Sequence, residues 1–345
     1  MIAIAPPDQA ADGIRALGCR FVPLEIDSKS RSPFHDLRLL LRYRKILRRE
    51  RPDIFLGFTI KPNLYGSLAA QGRGIPVINN ISGLGTAFIG GGVLSRLVAR
   101  LYRAALRRSH LVFFQNPEDR DLFVSRRLVA AERTALLPGS GIDLSRFTPP
   151  ASAIENKDRF TFLMTGRILA DKGVREYAEA ARIVGRTLPN VRCQLLGFLN
   201  SDNRTAIDRA VVTGWEESAG LEYLGDTDDV RPYIAAADCL VLPSYREGLP
   251  RSLLEGAAMA KPLIATDVPG CRDVVEHGAN GYLCAVRDGA ALAEAMIRMA
   301  GLAADDRLAM GRHGRRKVEA DYDEALVIAR YLDAIAAATG AAIQR

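Results

Sequence analysis

Two carboxylates stand eight residues apart, Glu247 and Glu255, in the segment Pro243-Ser-Tyr-Arg-Glu-Gly-Leu-Pro-Arg-Ser-Leu-Leu-Glu255. The apolar run Cys239–Leu242 reads as a strand that ends just before them. A helix is predicted to follow, with Pro250 at its first position, where a missing N–H costs nothing. Glu255 then falls about a turn and a half into that helix. One carboxylate sits at the mouth of a strand and the other inside a helix. The helix start at Gly248–Pro250 lies between them, and the free N–H groups of such a start attract anions. Carboxylates accept sugar hydroxyls and a helix start accepts phosphate, so the pattern describes a pocket for a nucleotide sugar. The spacing alone also fits a helix with two solvated glutamates; the Pro-Ser-Tyr-Arg-Glu-Gly-Leu-Pro context carries the reading.

The elements that must hold these groups alternate between strand and helix along the whole chain. Strand-like runs occur at Ile2–Ala5, Arg20–Val22, Asp53–Gly57, Pro76–Asn80, His110–Phe114 and Thr134–Leu137. In the second half they recur at Phe160–Thr165, Val191–Leu196, Leu221–Leu224, Cys239–Leu242, Pro262–Thr266 and Gly281–Cys284. Helical patterns near 34–50, 62–72, 93–108, 117–130, 173–187, 202–219, 228–236, 250–260, 270–277, 290–300 and 305–320 separate them. Such alternation implies an α/β protein with two doubly wound parallel sheets. The Pro149-Pro150 pair and the polar stretch to Asp158 suggest the linker. The expected organisation is residues 1–148, residues 149–320, and a last segment 321–345 that holds a further helix.

A length of 345 residues suits two cores, and 48% hydrophobic content suits a globular chain. The five cysteines lack Cys-x-x-Cys spacing and look like reduced core residues of a cytoplasmic protein. Four scattered histidines give a metal site no support. No apolar stretch approaches the ~20 residues of a membrane span. The net charge of +7 is uneven: residues 1–150 carry 23 Lys and Arg against 12 Asp and Glu, and the remainder 24 against 28. The basic half is the one to expect against an anionic surface. No nucleic-acid-binding motif accompanies that charge, so nucleic acid is not an expected partner.

The glutamate segment resembles the signature of the retaining glycosyltransferases of family 4, which have the two-domain GT-B fold with Rossmann-like domains facing across a cleft. The stretches Ala258-Met-Ala-Lys-Pro-Leu-Ile-Ala-Thr-Asp-Val-Pro-Gly270 and Glu276-His-Gly-Ala-Asn-Gly-Tyr-Leu283 resemble the segments that follow it in that family. Strand Phe160–Thr165 runs into Gly166-Arg-Ile-Leu-Ala-Asp-Lys-Gly173, where a glycine, a guanidinium and an ammonium suit a diphosphate. The resemblance implies that Arg167 and Lys172 bind the donor diphosphate beside Gly166. It implies that Glu247 holds the donor sugar and Glu255 the ribose. It implies that the loop of Gly225, Thr227 and Val230 holds the base. Pro138-Gly-Ser-Gly-Ile-Asp143 resembles the family hinge, with Ser140 where Asn is usual. The implied reaction is a retaining transfer by same-face attack, without metal or other cofactor. The final helix is expected to return to the N-terminal domain.

The first half resembles a branch of family 4 that includes lipid-linked bacillosamine α-1,3-N-acetylgalactosaminyltransferases and enzymes of O-antigen and capsule assembly. The resemblance rests on Phe58-Thr-Ile-Lys-Pro-Asn-Leu-Tyr-Gly-Ser67 and Pro76-Val-Ile-Asn-Asn-Ile-Ser-Gly-Leu-Gly-Thr-Ala-Phe88. It implies a polyprenyl-diphosphate-linked glycan acceptor lined by Lys61, Asn63, Ser82, Gly83 and Thr86. Ser82 stands where many members carry a His. Two basic helical segments, Leu37–Arg49 and Gly92–Arg108, suggest a peripheral site on the inner face of the plasma membrane. In the second, Arg96, Arg100, Arg103 and Arg107 share a face. Family members open with a strand, a turn and a helix before the segment resembling Met1–Asp8. The first strand–helix unit is therefore expected to be missing, leaving the N-terminal sheet interrupted. Alternatives for the whole chain are another GT-B activity, such as nucleotide-sugar epimerisation, or a non-catalytic nucleotide-sugar binder.

Overall fold

The computed structural model describes residues 1–8, 10–27, 32–83, 92–150, 159–199 and 203–340, with side chains from residue 96 onward in the stretch that begins at 92. The chain divides into two compact units, one of Met1–Leu136 with Tyr331–Arg345, the other of Leu137–Arg330. The described residues form twelve strands, numbered here in chain order.

In the second unit β7 (Phe160–Thr165), β8 (Val191–Leu196), β9 (Leu221–Tyr223), β10 (Cys239–Leu242), β11 (Leu263–Thr266) and β12 (Gly281–Cys284) form one sheet. Its order is β12-β11-β10-β7-β8-β9, and every pair is parallel. The central strands are apolar runs because both faces are covered. Along β10 the side chains alternate. Cys239 and Val241 enter a core with Tyr177, Val184 and Met296, from helices Val174–Thr187 and Gly289–Ala300. Leu240 and Leu242 enter the opposite core with Leu253 and Leu254, from helix Arg251–Ala258. The chain leaves β7 toward β8 on one side and returns to β10 on the other. The switch point of the sheet therefore lies between the carboxyl ends of β7 and β10, where α/β sheets bind their ligands.

In the first unit β3 (Phe55–Phe58), β4 (Val77–Ile81), β5 (Leu111–Phe114) and β6 (Thr134–Leu136) form a parallel sheet in that order. The strands β1 (Ile2–Ala5) and β2 (Arg20–Pro23) pair only with each other among the described residues. The N-terminal sheet is thus interrupted between β1 and β3. The pair joins the unit through side chains: Ile4 and Leu24 pack into the core formed by Phe55, Val77, Phe114 and the Leu39, Tyr43 and Leu47 face of helix Pro33–Glu50.

Several helical segments differ from the expected ones; those near 117–130, 228–236 and 270–277 are shorter, at Pro117–Ser125, Arg231–Ala236 and Cys271–Val274. The segment near 62–72 is one turn of π-helix, Pro62–Gly66, followed by the helix Ser67–Gln71. The segment near 202–219 is helical only over Arg209–Ala219. Residues before it run along the loop after β7, with Ala170 N donating to Thr205 O and Ile207 N to Ile168 O. Pro250 is the residue before its helix, with an extended backbone (φ −78°, ψ 114°), and not the first helical one. The last helix, Glu324–Thr339, carries Tyr331. That ring lies 5.9 Å from Phe58 and 5.1 Å from Phe113, and its hydroxyl accepts from Asn80 Nδ2 at 2.7 Å.

Candidate functional site at the carboxyl ends of β7 and β10

The loop after β7 is built to lie against the loop after β10. Gly173 has a left-handed backbone (φ 74°), and a Cβ there would meet Pro243 O at 2.0 Å. Only glycine allows this approach. Tyr245 N donates to Asp171 O at 2.9 Å, which locks the two loops together. The clamp delivers Lys172 to Glu247: Nζ stands 2.5 Å from Oε1, with the side chains 25% and 12% exposed. Ser244, fully buried, donates its hydroxyl to the same Oε1 at 2.6 Å. Its main-chain carbonyl accepts from the buried Thr266 hydroxyl on β11. Glu247 is therefore fixed by two donors, and Ser244 is a contributor that the sequence reading did not single out.

Arg167 points out from the end of β7, exposed and without a side-chain partner among the described residues. The adjacent Gly166 (φ 145°) has open space where a Cβ would be. Next to it, a Cβ on Gly197 would meet Gly166 O at 1.7 Å, and Gly197 N donates to Gly225 O at 2.7 Å. Gly166, Gly197 and Gly225 thus follow three neighbouring strands and line their carboxyl ends with bare backbone. Thr227 uses its hydroxyl within its own turn, accepting from Asp229 N at 3.1 Å. Val230 precedes helix Arg231–Ala236 and packs against the second core.

Glu255 lies on the fifth position of helix Arg251–Ala258 with its side chain 13% exposed. Arg251 Nε is 3.0 Å from its Oε1, yet the carboxyl pKa is raised. Burial outweighs the pair because Arg251 is itself 56% exposed, and desolvation disfavours the charged form. Before that helix, Gly248 is buried, Leu249 packs against Gly139, and a Cβ on Gly270 would meet Gly248 O at 2.5 Å.

In the first unit, Lys61 Nζ pairs with Asp36 at 2.7 Å, and Tyr65 donates to the other oxygen of that carboxylate at 2.6 Å. Asn63 is buried with its amide committed to the interior. Its Nδ2 donates to Asn80 O, and its Oδ1 accepts from Asn79 Nδ2. Asn79 also bonds Ser67 and Ser109, so the network ties the π turn to β4. Between β3 and that turn Thr59 has a left-handed backbone (φ 63°), strain that such an over-determined segment sustains. Ser82 is exposed and Gly83 has φ 140°. Thr86 lies outside the described residues. Arg103, one of the cations expected on a face toward an anionic surface, donates to the carbonyls of Arg126 and Arg127.

This two-loop basic and acidic cluster lies at the switch point of a doubly wound sheet, the place where α/β enzymes bind their ligands. Residues 159–301 match the family model described as glycosyl transferases group 1, and residues 1–139 match the glycosyl transferase 4-like domain. The chain belongs to glycosyltransferase family 4 and is a glycosyltransferase of the GT-B fold. It is 27% identical over 357 aligned residues to the N,N'-diacetylbacillosaminyl-diphospho-undecaprenol alpha-1,3-N-acetylgalactosaminyltransferase of Campylobacter jejuni, covering 96% of this chain and 89% of the relative. It is 25% identical to the UDP-Gal:alpha-D-GlcNAc-diphosphoundecaprenol alpha-1,3-galactosyltransferase of Escherichia coli, covering 90% and 81%. Among solved structures it is similar to Anabaena HepE in complex with UDP-glucose, with a TM-score of 0.80 at 17% identity over 97% of this chain and 91% of that one.

Proposed function

We propose that the chain is a retaining transferase that moves a sugar from a nucleotide sugar to a polyprenyl-diphosphate-linked saccharide in cell-surface polysaccharide assembly. The donor in this reading is UDP-linked, with an N-acetylhexosamine as the favoured sugar. The observation that carries it is the Lys172–Glu247–Ser244 cluster beside the bare backbone of Gly166. Arg167 and Lys172 would meet the diphosphate and stabilise it as it departs. Gly248, Leu249 and Pro250 bring the helix start to the same phosphates, and Glu247 holds sugar hydroxyls. Glu255 takes the ribose hydroxyls; Gly225, Thr227 and Val230 border the base. The acceptor hydroxyl attacks the anomeric carbon on the face that the diphosphate leaves. Its proton passes to a departing phosphate oxygen. Two cations do the neutralising, so the reaction runs without metal.

Lys61, Ser82, Gly83 and Thr86 would face the acceptor, with Asn63 holding their loop from inside. The names of the relatives support a lipid-diphosphate acceptor. The excess of cations in the first 150 residues supports work on an anionic membrane surface, at its cytoplasmic side. No helix among the described residues is long and apolar enough to cross a membrane.

The test is turnover of a panel of UDP- and other nucleotide sugars, with EDTA present, against a short-chain polyprenyl-diphosphate N-acetylhexosaminide. Transfer with retained anomeric configuration supports the reading. Epimerised donor formed without acceptor, or nucleotide-sugar binding without turnover, would replace it.

A further inference from the structure

Helix Pro33–Glu50 has an outer face that no described residue of its unit covers. Its inner face is fixed: Leu39, Tyr43 and Leu47 are buried in the core, and Asp36 holds Lys61 and Tyr65. At 100° per residue, Phe34, Leu37, Arg38, Leu41, Arg44, Lys45 and Arg48 fall within one arc opposite Tyr43. Phe34 is 83% exposed, Leu37 55% and Leu41 52%. A folded monomer gains nothing by turning three large apolar side chains on one helix to water, and such a stripe marks an interaction surface. The arc contains no acidic residue. Arg38, Arg44, Lys45 and Arg48 have no carboxylate partner among the described residues, whereas Arg42 pairs with Glu25 and Arg49 with Glu50 off the arc.

The stripe changes character along its length. All three of its large apolar side chains, with Arg38 among them, lie in its first two turns, and its last two turns carry only cations. From Phe34 to Arg48 it spans ~21 Å. A helix lying in a bilayer interface has this design: apolar side chains enter the acyl boundary, and Lys and Arg reach headgroup phosphates from stems that stay apolar.

Resting on the proposed action at a lipid-linked acceptor, we infer that the outer face of helix Pro33–Glu50 is the membrane-docking surface of the protein, with an anionic phospholipid leaflet as its occupant. The second basic helix, Gly92–Leu106, is the weaker choice. Among its described side chains Leu97 is the one large apolar group that is exposed, and Arg103 is spent on main-chain carbonyls. Charge complementarity chooses the leaflet over a second copy of the chain, since two such faces would bring eight unpaired cations together.

The experiment is flotation of the full chain with vesicles of phosphatidylglycerol and phosphatidylcholine, and with phosphatidylcholine alone. The parent floats with the anionic vesicles. The Phe34→Ser/Leu37→Ser/Leu41→Ser variant binds about tenfold more weakly or worse. The Arg38→Gln/Arg44→Gln/Lys45→Gln/Arg48→Gln variant loses the preference for anionic lipid, and salt reduces that preference in the parent. Arg96→Gln/Arg100→Gln floats like the parent. Melting curves confirm that each variant is folded. The inference fails if the serine variant floats undiminished, if the Arg96/Arg100 variant is the one released, or if the parent self-associates through this face in place of floating. Flotation by a chain that turns over no nucleotide sugar would overturn the transferase reading and leave the docking surface standing. Transfer to a short-chain acceptor by a chain that never floats would do the reverse.

Discussion

Lys172 Nζ and Glu247 Oε1 lie 2.5 Å apart, although 75 residues separate them in sequence. The cation proposed for the donor diphosphate and the carboxylate proposed for the donor sugar thus form one unit. Lys172→Ala should lower the rate of transfer by roughly a hundredfold, ~3 kcal/mol. Because the pair is in contact, losses from Lys172→Ala and Glu247→Gln should not add in the double variant, with a coupling of about 1 kcal/mol or more. Single-turnover rates of the four proteins decide it; strict additivity would remove the pair from the mechanism.

Ser244 has no direct role in the chemistry proposed, yet it fixes the Glu247 carboxylate. A hydrogen bond to an ionised group contributes about 1.5–3 kcal/mol. Ser244→Ala should therefore reduce kcat/KM for the donor by roughly tenfold or more while Lys172 and the fold remain in place. A kcat/KM equal to that of the parent in a folded variant would show that Lys172 alone holds Glu247.

Glu255 makes stability depend on pH in a stated direction. Burial raises its folded-state pKa above the unfolded value. Such a group contributes most below the unfolded carboxyl pKa, and that contribution is lost as pH rises through the folded one. Glu255→Gln removes the cost of a buried charge, so it should melt at higher temperature than the parent at pH 7–8. The difference should vanish in acid, below the ordinary carboxyl range of about 4. Thermal scans across this range test it. A neutral-pH loss of stability would mean that the Arg251 pair dominates.

Asn79 is a fully satisfied amide inside a central strand, bonded to Asn63, Ser67 and Ser109. Asn79→Ala leaves three buried polar groups short of a partner and should cost about 2–4 kcal/mol in urea unfolding. If the network also sets the loop of Lys61, the variant should show a higher KM for the acceptor and an unchanged KM for the nucleotide sugar. A change confined to the donor KM would deny the loop that part.

Parallel strands were the most legible elements, because a strand largely covered on both faces is a mostly apolar run. Phe160–Thr165, Val191–Leu196, Cys239–Leu242 and Gly281–Cys284 have the same limits in sequence and structure. Helix starts were less legible. Asp208 opens a helix that periodicity placed earlier, since residues 203–207 are held by distant backbone at Ile168 and Ala170. The π turn at Pro62–Gly66 depends on Asn79 and Ser109, which no local pattern near residue 62 reveals. At the candidate site, residue types, context and the family resemblance singled out Glu247, Lys172 and Arg167 as candidates. Pairing of the first two could not be read, because it depends on Gly173 fitting under Pro243 O. Ser244 carried a signal in its place within Pro-Ser-Tyr-Arg-Glu, but a buried serine and a surface one look alike in sequence. The exposed stripe of helix Pro33–Glu50 was hidden for a similar reason: a leucine pattern does not say which leucines a core has room for.

Tyr331 gives the first unit an unusual schedule. Asn80, Phe58 and Phe113 meet a side chain that emerges from the ribosome long after them; Asn80 precedes it by 251 residues. Domains near the N-terminus ordinarily complete folding while the rest is being made. Here translation of residues 137–330 intervenes, roughly 10–40 s at typical bacterial and eukaryotic elongation rates. Throughout that interval the nascent first unit carries two uncovered aromatic rings and an unsatisfied amide, which makes it a substrate for chaperones. Codon choices that slow the second half should therefore lower the yield of native enzyme more than equal delays in the first.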